Sequence, residues 1–227
     1  MYKILKRVLD LLIATIALVI LLPLLIPIMI ILRFTGEREV FYLQKRIGYK
    51  NREFKIWKFA TMAKNSENMG NRDVTLRNDP RVTKIGKYLR ITKINELPQI
   101  INVLIGNMSI VGPRPLMWES FDNYEPVYIE KVYNSKPGIT GIGPILLRDE
   151  EKLLTDAVDK GIDLVSFNRK VVYPYKGKVE MWYQENKSLW TDILIIFLTA
   201  WVIVFPDSQL PYKYFKSLPP RPPEFDN

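Results

Sequence analysis

Residues 11–32, LLIATIALVILLPLLIPIMIIL, carry no charge and are closed by Asp10 and Arg33. As a straight helix this run would measure roughly 33 Å, enough to cross a hydrocarbon core. Pro23 and Pro27 lie past its middle. Each removes a backbone donor and crowds the preceding turn, so the pattern predicts a bend or break near Leu22 and Pro23. Two short runs, residues 40–43 and 54–57, flank Gly48-Tyr49-Lys50-Asn51 and predict a small β-hairpin with Gln44, Arg46 and Lys58 at its edges. Residues 65–78 are polar and aperiodic and read as a mobile loop. A short helix is expected over 82–89, after the Asp79-Pro80 turn. Leu97, Ile100, Ile101 and Leu104 then recur at i, i+3, i+4 and i+7, one buried helical face. Pro98 is tolerated only in a first turn, which makes Asn95 the expected N-cap and Glu96 the first helical residue, with Gly106 ending the helix.

Residues 117–133 read as one amphipathic helix, and 151–205 as helical with breaks. Within the latter, residues 193–205 are apolar but too short to span a bilayer. With Trp182, Tyr183, Trp190 and Trp201 nearby, they predict a helix buried in the domain or lying at a lipid boundary. Residues 206–227, rich in proline, are expected to be extended or disordered.

Charge settles how the apolar run is read. Lys3, Lys6 and Arg7 precede it; between Arg33 and Lys58, eight Lys/Arg face three Glu, a surplus of five. A spanning helix ordinarily has one basic end. Two basic ends favour a segment that enters the bilayer, turns at the prolines and leaves by the same leaflet; a proline-kinked span is the plainer alternative. A removable signal peptide fits poorly, because the run is long and no small-residue cleavage site follows. The formal charge of +9 and pI near 9.5 suit a chain lying against anionic membrane lipid or handling phosphates. No nucleic-acid motif is present, so nucleic acid is not expected as a partner.

The chain has neither cysteine nor histidine, which excludes disulfides, thiolate or imidazole metal sites, and His or Cys catalysis. Chemistry must come from Asp, Glu, Lys, Arg, Tyr, Ser and a hard ion such as Mg2+. Asn95-Glu96 at a helix start would place a carboxylate, or a bound phosphate, at the positive end of a helix dipole; many helices begin this way for stability alone. Gly112-Pro113-Arg114-Pro115 is a rigid turn presenting one guanidinium, a structural turn or a phosphate clamp. Asp149, Glu150 and Glu151 form either a solvated helix start or Mg2+ ligands.

Taken together, these segments resemble the monotopic phosphoglycosyl transferases, a bacterial sugar transferase family. The resemblance rests on Lys6-Arg7-x-x-Asp10, Gln44-x-Arg46-x-Gly48, Phe54-Lys55-Ile56-x-Lys58-Phe59-x-Thr61-Met62 and Asp79-Pro80-Arg81-Val82-Thr83-Lys84-Ile85-Gly86. It continues through Glu96-Leu97-Pro98-Gln99-x-x-Asn102-Val103-Leu104, Met108-Ser109-x-Val111-Gly112-Pro113-Arg114-Pro115 and Lys136-Pro137-Gly138-Ile139-Thr140-Gly141. It implies a re-entrant membrane helix on the cytoplasmic face of the bacterial inner membrane. It also implies transfer of a phosphosugar from a UDP-sugar to undecaprenyl phosphate, with UMP leaving and Mg2+ required. The family's usual motif is an Asp-Glu pair whose Asp is the nucleophile, and here the pair is Asn95-Glu96. An amide caps a helix as a carboxylate does, yet it is a poor nucleophile at phosphorus. Glu96 could serve as nucleophile or metal ligand, the transfer could proceed without a covalent step, or the chain could be inactive.

The expected architecture is therefore α/β, mainly helical with a small β-hairpin: a re-entrant helix-break-helix over 1–36, a membrane-associated catalytic domain over 37–205, and the tail 206–227. Glu96 is the expected catalytic carboxylate with Asn95 beside it, and Glu96, Asp149 and Glu150 are the candidate metal ligands. Lys58, Arg90 and Arg114 are the expected phosphate clamps, Gln99 joins them from the family motif, and Gly138, Thr140 and Gly141 belong to a loop over the donor. The rival reading is a catalytically silent membrane protein that binds nucleotide-sugar or polyprenol phosphate. The oligomeric state stays open between monomer and homodimer.

Overall fold

The computed structural model describes residues 1–64, 66 and 79–225. The loop expected over 65–78 lies, Ser66 apart, outside the described residues. The apolar run forms one helix, α1, Tyr2–Phe34, with Pro23 and Pro27 inside it. The expected break is thus not an interruption of the helix. A proline in a helix interior costs about 3 kcal/mol, and the packing of α1 offsets that cost on both sides of the prolines. Ala14, Ala17 and Leu18 meet Ile56, Ile100, Val103 and Met108. Beyond Pro23, Leu25 and Leu32 close on Phe59 and Leu89. The opposite face, including Val19, Ile20, Ile26 and Ile30, is bare.

Polar groups fix the start of α1. Lys6 Nζ lies 2.7 Å from Asp192 Oδ2, and Tyr2 Oη donates to the same oxygen at 2.9 Å. Asp10 Oδ1 accepts from Ser109 Oγ and from the Ile110 N–H, both at 2.9 Å. Arg7 donates to the carbonyls of Val103 and Leu104, in the last turn of a short helix, α3, Ile100–Ile105. Both ends of α1 are therefore attached to one domain.

That domain begins with the expected hairpin, longer than its apolar runs suggested: β1, Phe41–Ile47, antiparallel to β2, Glu53–Phe59, in the register Gln44↔Ile56 and Arg46↔Phe54. Helix α2, Lys84–Ile91, follows, capped by Thr83 Oγ1 accepting from the Gly86 N–H at 3.0 Å. Next come a 3-10 segment, Ile94–Gln99, and α3, Ile100–Ile105, which Gly106 terminates at φ 90° as expected. A second, unexpected ribbon pairs β3, Ser109–Val111, in parallel with β4, Gly138–Thr140. Parallel strands need a long crossover. It is supplied by residues that had read as one helix and instead form α4, Trp118–Phe121, and α5, Pro126–Lys131, because Pro126 opens a new helix after an extended Glu125.

The remainder is helical with breaks, as its pattern indicates: α6, Ile142–Leu146; α7, Glu150–Asp159; α8, Leu164–Phe167; α9, Tyr173–Asn186; and α10, Leu189–Val204. Helix α10 has one buried and one exposed apolar face. Ile195, Leu198 and Val202 are buried, while Trp190, Ile193, Phe197 and Ile203 are exposed. The tail departs from expectation. It forms α11, Leu210–Tyr214, then packs Phe215, Leu218 and Phe225 into the core. Trp182 Nε1 donates to Ser217 Oγ at 2.8 Å, and Phe225 meets the edge of Tyr175. Prolines made this stretch look unstructured, but its aromatics bury enough apolar surface to hold it.

Candidate active site

Asn102 determines what faces the hairpin. Fully buried, its side chain donates to the Lys55 carbonyl at 2.8 Å and accepts from the Trp57 N–H at 2.9 Å, occupying the open edge of β2 as a neighbouring strand would. This anchors α3 and the 3-10 segment beside β2, so Glu96 and Gln99 come to lie against Lys58. The ribbon closes the other side. Gly138 and Gly112 pack backbone to backbone, with the Gly138 N–H donating to the Pro113 carbonyl at 3.0 Å and the Gly112 N–H to the Thr140 carbonyl at 3.0 Å.

The result is a small cleft lined by Arg46, Ile56, Lys58, Glu96, Gln99, Arg114, Pro115, Gly138 and Ile139. Glu96 Oε1 lies 3.3 Å from Arg114 Nη2 and 3.6 Å from Lys58 Nζ. Both contacts fall on Oε1. Burial works to raise the Glu96 pKa, but Arg114, then Lys58, Lys93 and Arg46, outweigh it and hold the carboxyl well below the usual range. Lys58 is pushed down to about 7, by burial first and by the nearby guanidinium groups, against the pull of Glu96. Arg46 is lowered to about 10 by burial and Arg114, and stays charged at neutral pH. Its guanidinium donates to Gln44 Oε1 at 2.6 Å. Two guanidinium groups and a lysine poised to take up a proton surround one ionised carboxylate, and an added anion is what such a site lacks.

Of the expected residues, the fold thus joins Glu96, Lys58, Gln99, Arg114 and Gly138. Thr140 and Gly141 are not in a loop over the cleft. They belong to the ribbon and the start of α6, where Thr140 Oγ1 meets Thr199 Oγ1 at 2.7 Å. Arg90 lies outside the cleft lining, its Nη2 4.0 Å from Glu151. Asp149 caps α7 by accepting from the Lys152 N–H, and Glu150 pairs with Lys176. Among the described residues no group of three or more acidic side chains gathers as a metal cage. Asn95 is not an N-cap: it sits inside the 3-10 segment, buried, with its Oδ1 unpartnered, and Glu96 is not at the head of an α-helix. The missing N–H of Pro98 is absorbed in 3-10 turns, and the α-helix starts only at Ile100. Sequence reasoning left Arg46 out of the site. The signal was the two-residue period of the hairpin, which puts Gln44 and Arg46 on the face shared by Ile56 and Lys58.

A bacterial sugar transferase family profile matches residues 1–206, and the chain belongs to that family. It is 35% identical to the UDP-N-acetylgalactosamine-undecaprenyl-phosphate N-acetylgalactosaminephosphotransferase of Aeromonas hydrophila over 89% of this chain and 44% of that one. It is 37% identical to the UDP-glucose:undecaprenyl-phosphate glucose-1-phosphate transferase of Escherichia coli K12 over 87% of this chain and 40% of that one. It is also 33% identical to the exopolysaccharide production protein ExoY of Rhizobium meliloti, covering 86% of this chain and 83% of that one. The first two relatives are longer proteins, of which the chain spans about two-fifths.

Proposed function

We propose that this chain transfers a phosphosugar from a UDP-sugar to undecaprenyl phosphate, releasing UMP, as the first membrane step of polysaccharide or glycoconjugate assembly. The observation that carries the reading is the ionised Glu96 set between Arg114 and Lys58, with Arg46 beside them, in a chain of the bacterial sugar transferase family. The cations receive the donor's diphosphate and the acceptor's phosphate. In the transfer, the sugar-bearing phosphorus gains a new bond to oxygen and loses its bond to UMP, which departs with the electron pair. Glu96 is the catalytic carboxylate. Its Oε2, outside both ion-pair contacts, acts as nucleophile or as a metal ligand, and trapping of radiolabelled phosphosugar on the protein separates these two roles. A single carboxylate suits Mg2+ that takes its other ligands from phosphates and water, and such an ion would neutralise diphosphate charge. Asn95, an amide with no charge, supports Glu96 rather than attacking phosphorus.

The deciding measurement is UMP release from a panel of UDP-sugars with undecaprenyl phosphate, using the folded chain in detergent or nanodiscs. Turnover with at least one donor is expected. Its absence with every donor would leave a silent binding protein.

The reading includes a monotopic chain on the cytoplasmic face of the inner membrane, with α1 re-entrant and held in one leaflet. Because α1 is bound to the domain at both ends, a plain span would draw the hairpin and its lysines into hydrocarbon, at several kcal/mol per charge by order of magnitude. Cysteines substituted at Tyr2 and Thr35 should be labelled by an impermeant reagent from the same side. Labelling from opposite sides would restore the span.

A further inference from the structure

Arg114 occupies a turn with little means of holding itself. Pro113 and Pro115 have no N–H, so the Arg114 N–H is the lone main-chain donor of residues 113–115. Its acceptor is a side chain 66 residues away: Glu180 Oε1 on α9, at 3.3 Å. The Arg114 carbonyl is held from the other side by Tyr133 Oη at 2.7 Å, which also accepts from the Leu116 N–H at 2.9 Å. Glu180 is 5% exposed, and its Oε2 has no partner. The same carboxyl presses on the cleft's other wall. A Cβ placed on Gly143 would sit 2.5 Å from Glu180 Oε1 and push that carboxyl off the Arg114 N–H, so the glycine in α6, which follows directly from β4 and its cleft residues Gly138 and Ile139, leaves the carboxyl its place.

We propose that Glu180 is a positioning residue that aims the Arg114 guanidinium into the cleft and couples that clamp to the β4–α6 wall. The proposal rests on Arg114 being a phosphate clamp, as above. A buried carboxyl with an unpaired oxygen is a costly way to accept one N–H, since a glutamine would accept it too. What the acid adds is a charge state. Burial pushes Glu180 up to about 7, against the Arg114 N–H bond, Lys176 and the Arg114 charge. The groups around it are Arg114 from the turn, Lys176 on its own helix, Glu150 on α7 paired to that lysine, and the buried hydroxyls of Tyr133 and Tyr124. Ionised, Glu180 accepts the N–H as the stronger, charge-assisted bond.

The experiment is a double-mutant cycle on the full chain in nanodiscs, read by UMP release and by calorimetric binding of UDP as a diphosphate probe. Glu180→Ala should lower kcat about thirtyfold and weaken UDP about tenfold, yet change either by less than about twofold in an Arg114→Ala background. Glu180→Gln, which keeps the acceptor oxygen, should stay within about threefold of wild type at pH 8 and lose the part of the fall in kcat/KM that wild type shows as pH drops below about 7. The opposite limb from Lys58, above about 7, is common to both. Losing that part of the acid limb cannot come from ionisation of the acceptor phosphate, which both enzymes share. Effects of Glu180→Ala that multiply with those of Arg114→Ala would overturn the proposal. So would an acid limb with the same midpoint and steepness in Glu180→Gln as in wild type, and this second variant decides if Glu180→Ala does not fold. UDP binding coupled through both residues without turnover in wild type would instead defeat the transferase reading and leave the positioning role standing.

Discussion

Glu96→Gln should leave no more than about one-thousandth of wild-type UMP release, the scale of loss for a charged group acting at the reacting atoms. Two effects combine. The amide cannot attack phosphorus or ligate a metal as a carboxylate does, and it no longer balances the cations around it. Glu96 is what holds the Lys58 pKa up against burial, Arg46, Arg114 and Arg90. Without it Lys58 falls below about 7, so an incoming phosphate must supply all of the charge that keeps the lysine protonated, and the clamp weakens along with the loss of the carboxylate. Asn95→Ala, by contrast, should cost about tenfold, since it removes a buried amide whose oxygen has no partner. Initial rates of UMP release at saturating donor measure both variants, and equal losses would defeat the assignment of Glu96.

Gly138→Ala should destabilise the domain by at least about 3 kcal/mol and abolish turnover. The added Cβ would lie 2.1 Å from the Gly112 nitrogen and 2.3 Å from the Thr140 carbonyl oxygen. Both are backbone atoms of the ribbon, so no side chain can rotate away. Relief requires both parting β3 from β4 and distorting β4 itself, which opens the cleft between Arg114 and Ile139. Gly161→Ala is the control. That glycine has φ 75° but nothing within 4 Å of its Cβ position, so only backbone strain of about 1 kcal/mol is expected. Urea unfolding in detergent separates the two, and similar midpoints would show that the ribbon tolerates what its geometry forbids.

Local pattern carried some elements and failed on others. The hairpin was legible because alternation and the Gly48-Tyr49-Lys50-Asn51 turn act over neighbouring residues. Thr83, not Asn95, proved to be a helix cap, because Pro98 directs the segment around Glu96 into 3-10 turns. The β3–β4 ribbon was hidden, since three-residue strands separated by a crossover have no periodicity to detect. The tail was misread from its prolines, although Phe215, Leu218 and Phe225 were present in it to be buried.

By itself, the sequence determined the apolar segment with basic flanks, the absence of His and Cys chemistry, and the residue types available to bind phosphate, since these follow from composition and short-range order. Only the tertiary structure decided that Lys58, Glu96 and Arg114 meet while Arg90, Asp149 and Glu150 fall outside the cleft lining. That meeting depends on Asn102 pairing with the edge of β2 and on Glu180 and Tyr133 gripping the Arg114 backbone. Such side-chain bonds, 19 to 66 residues apart in sequence, leave no trace in the order of neighbouring residues.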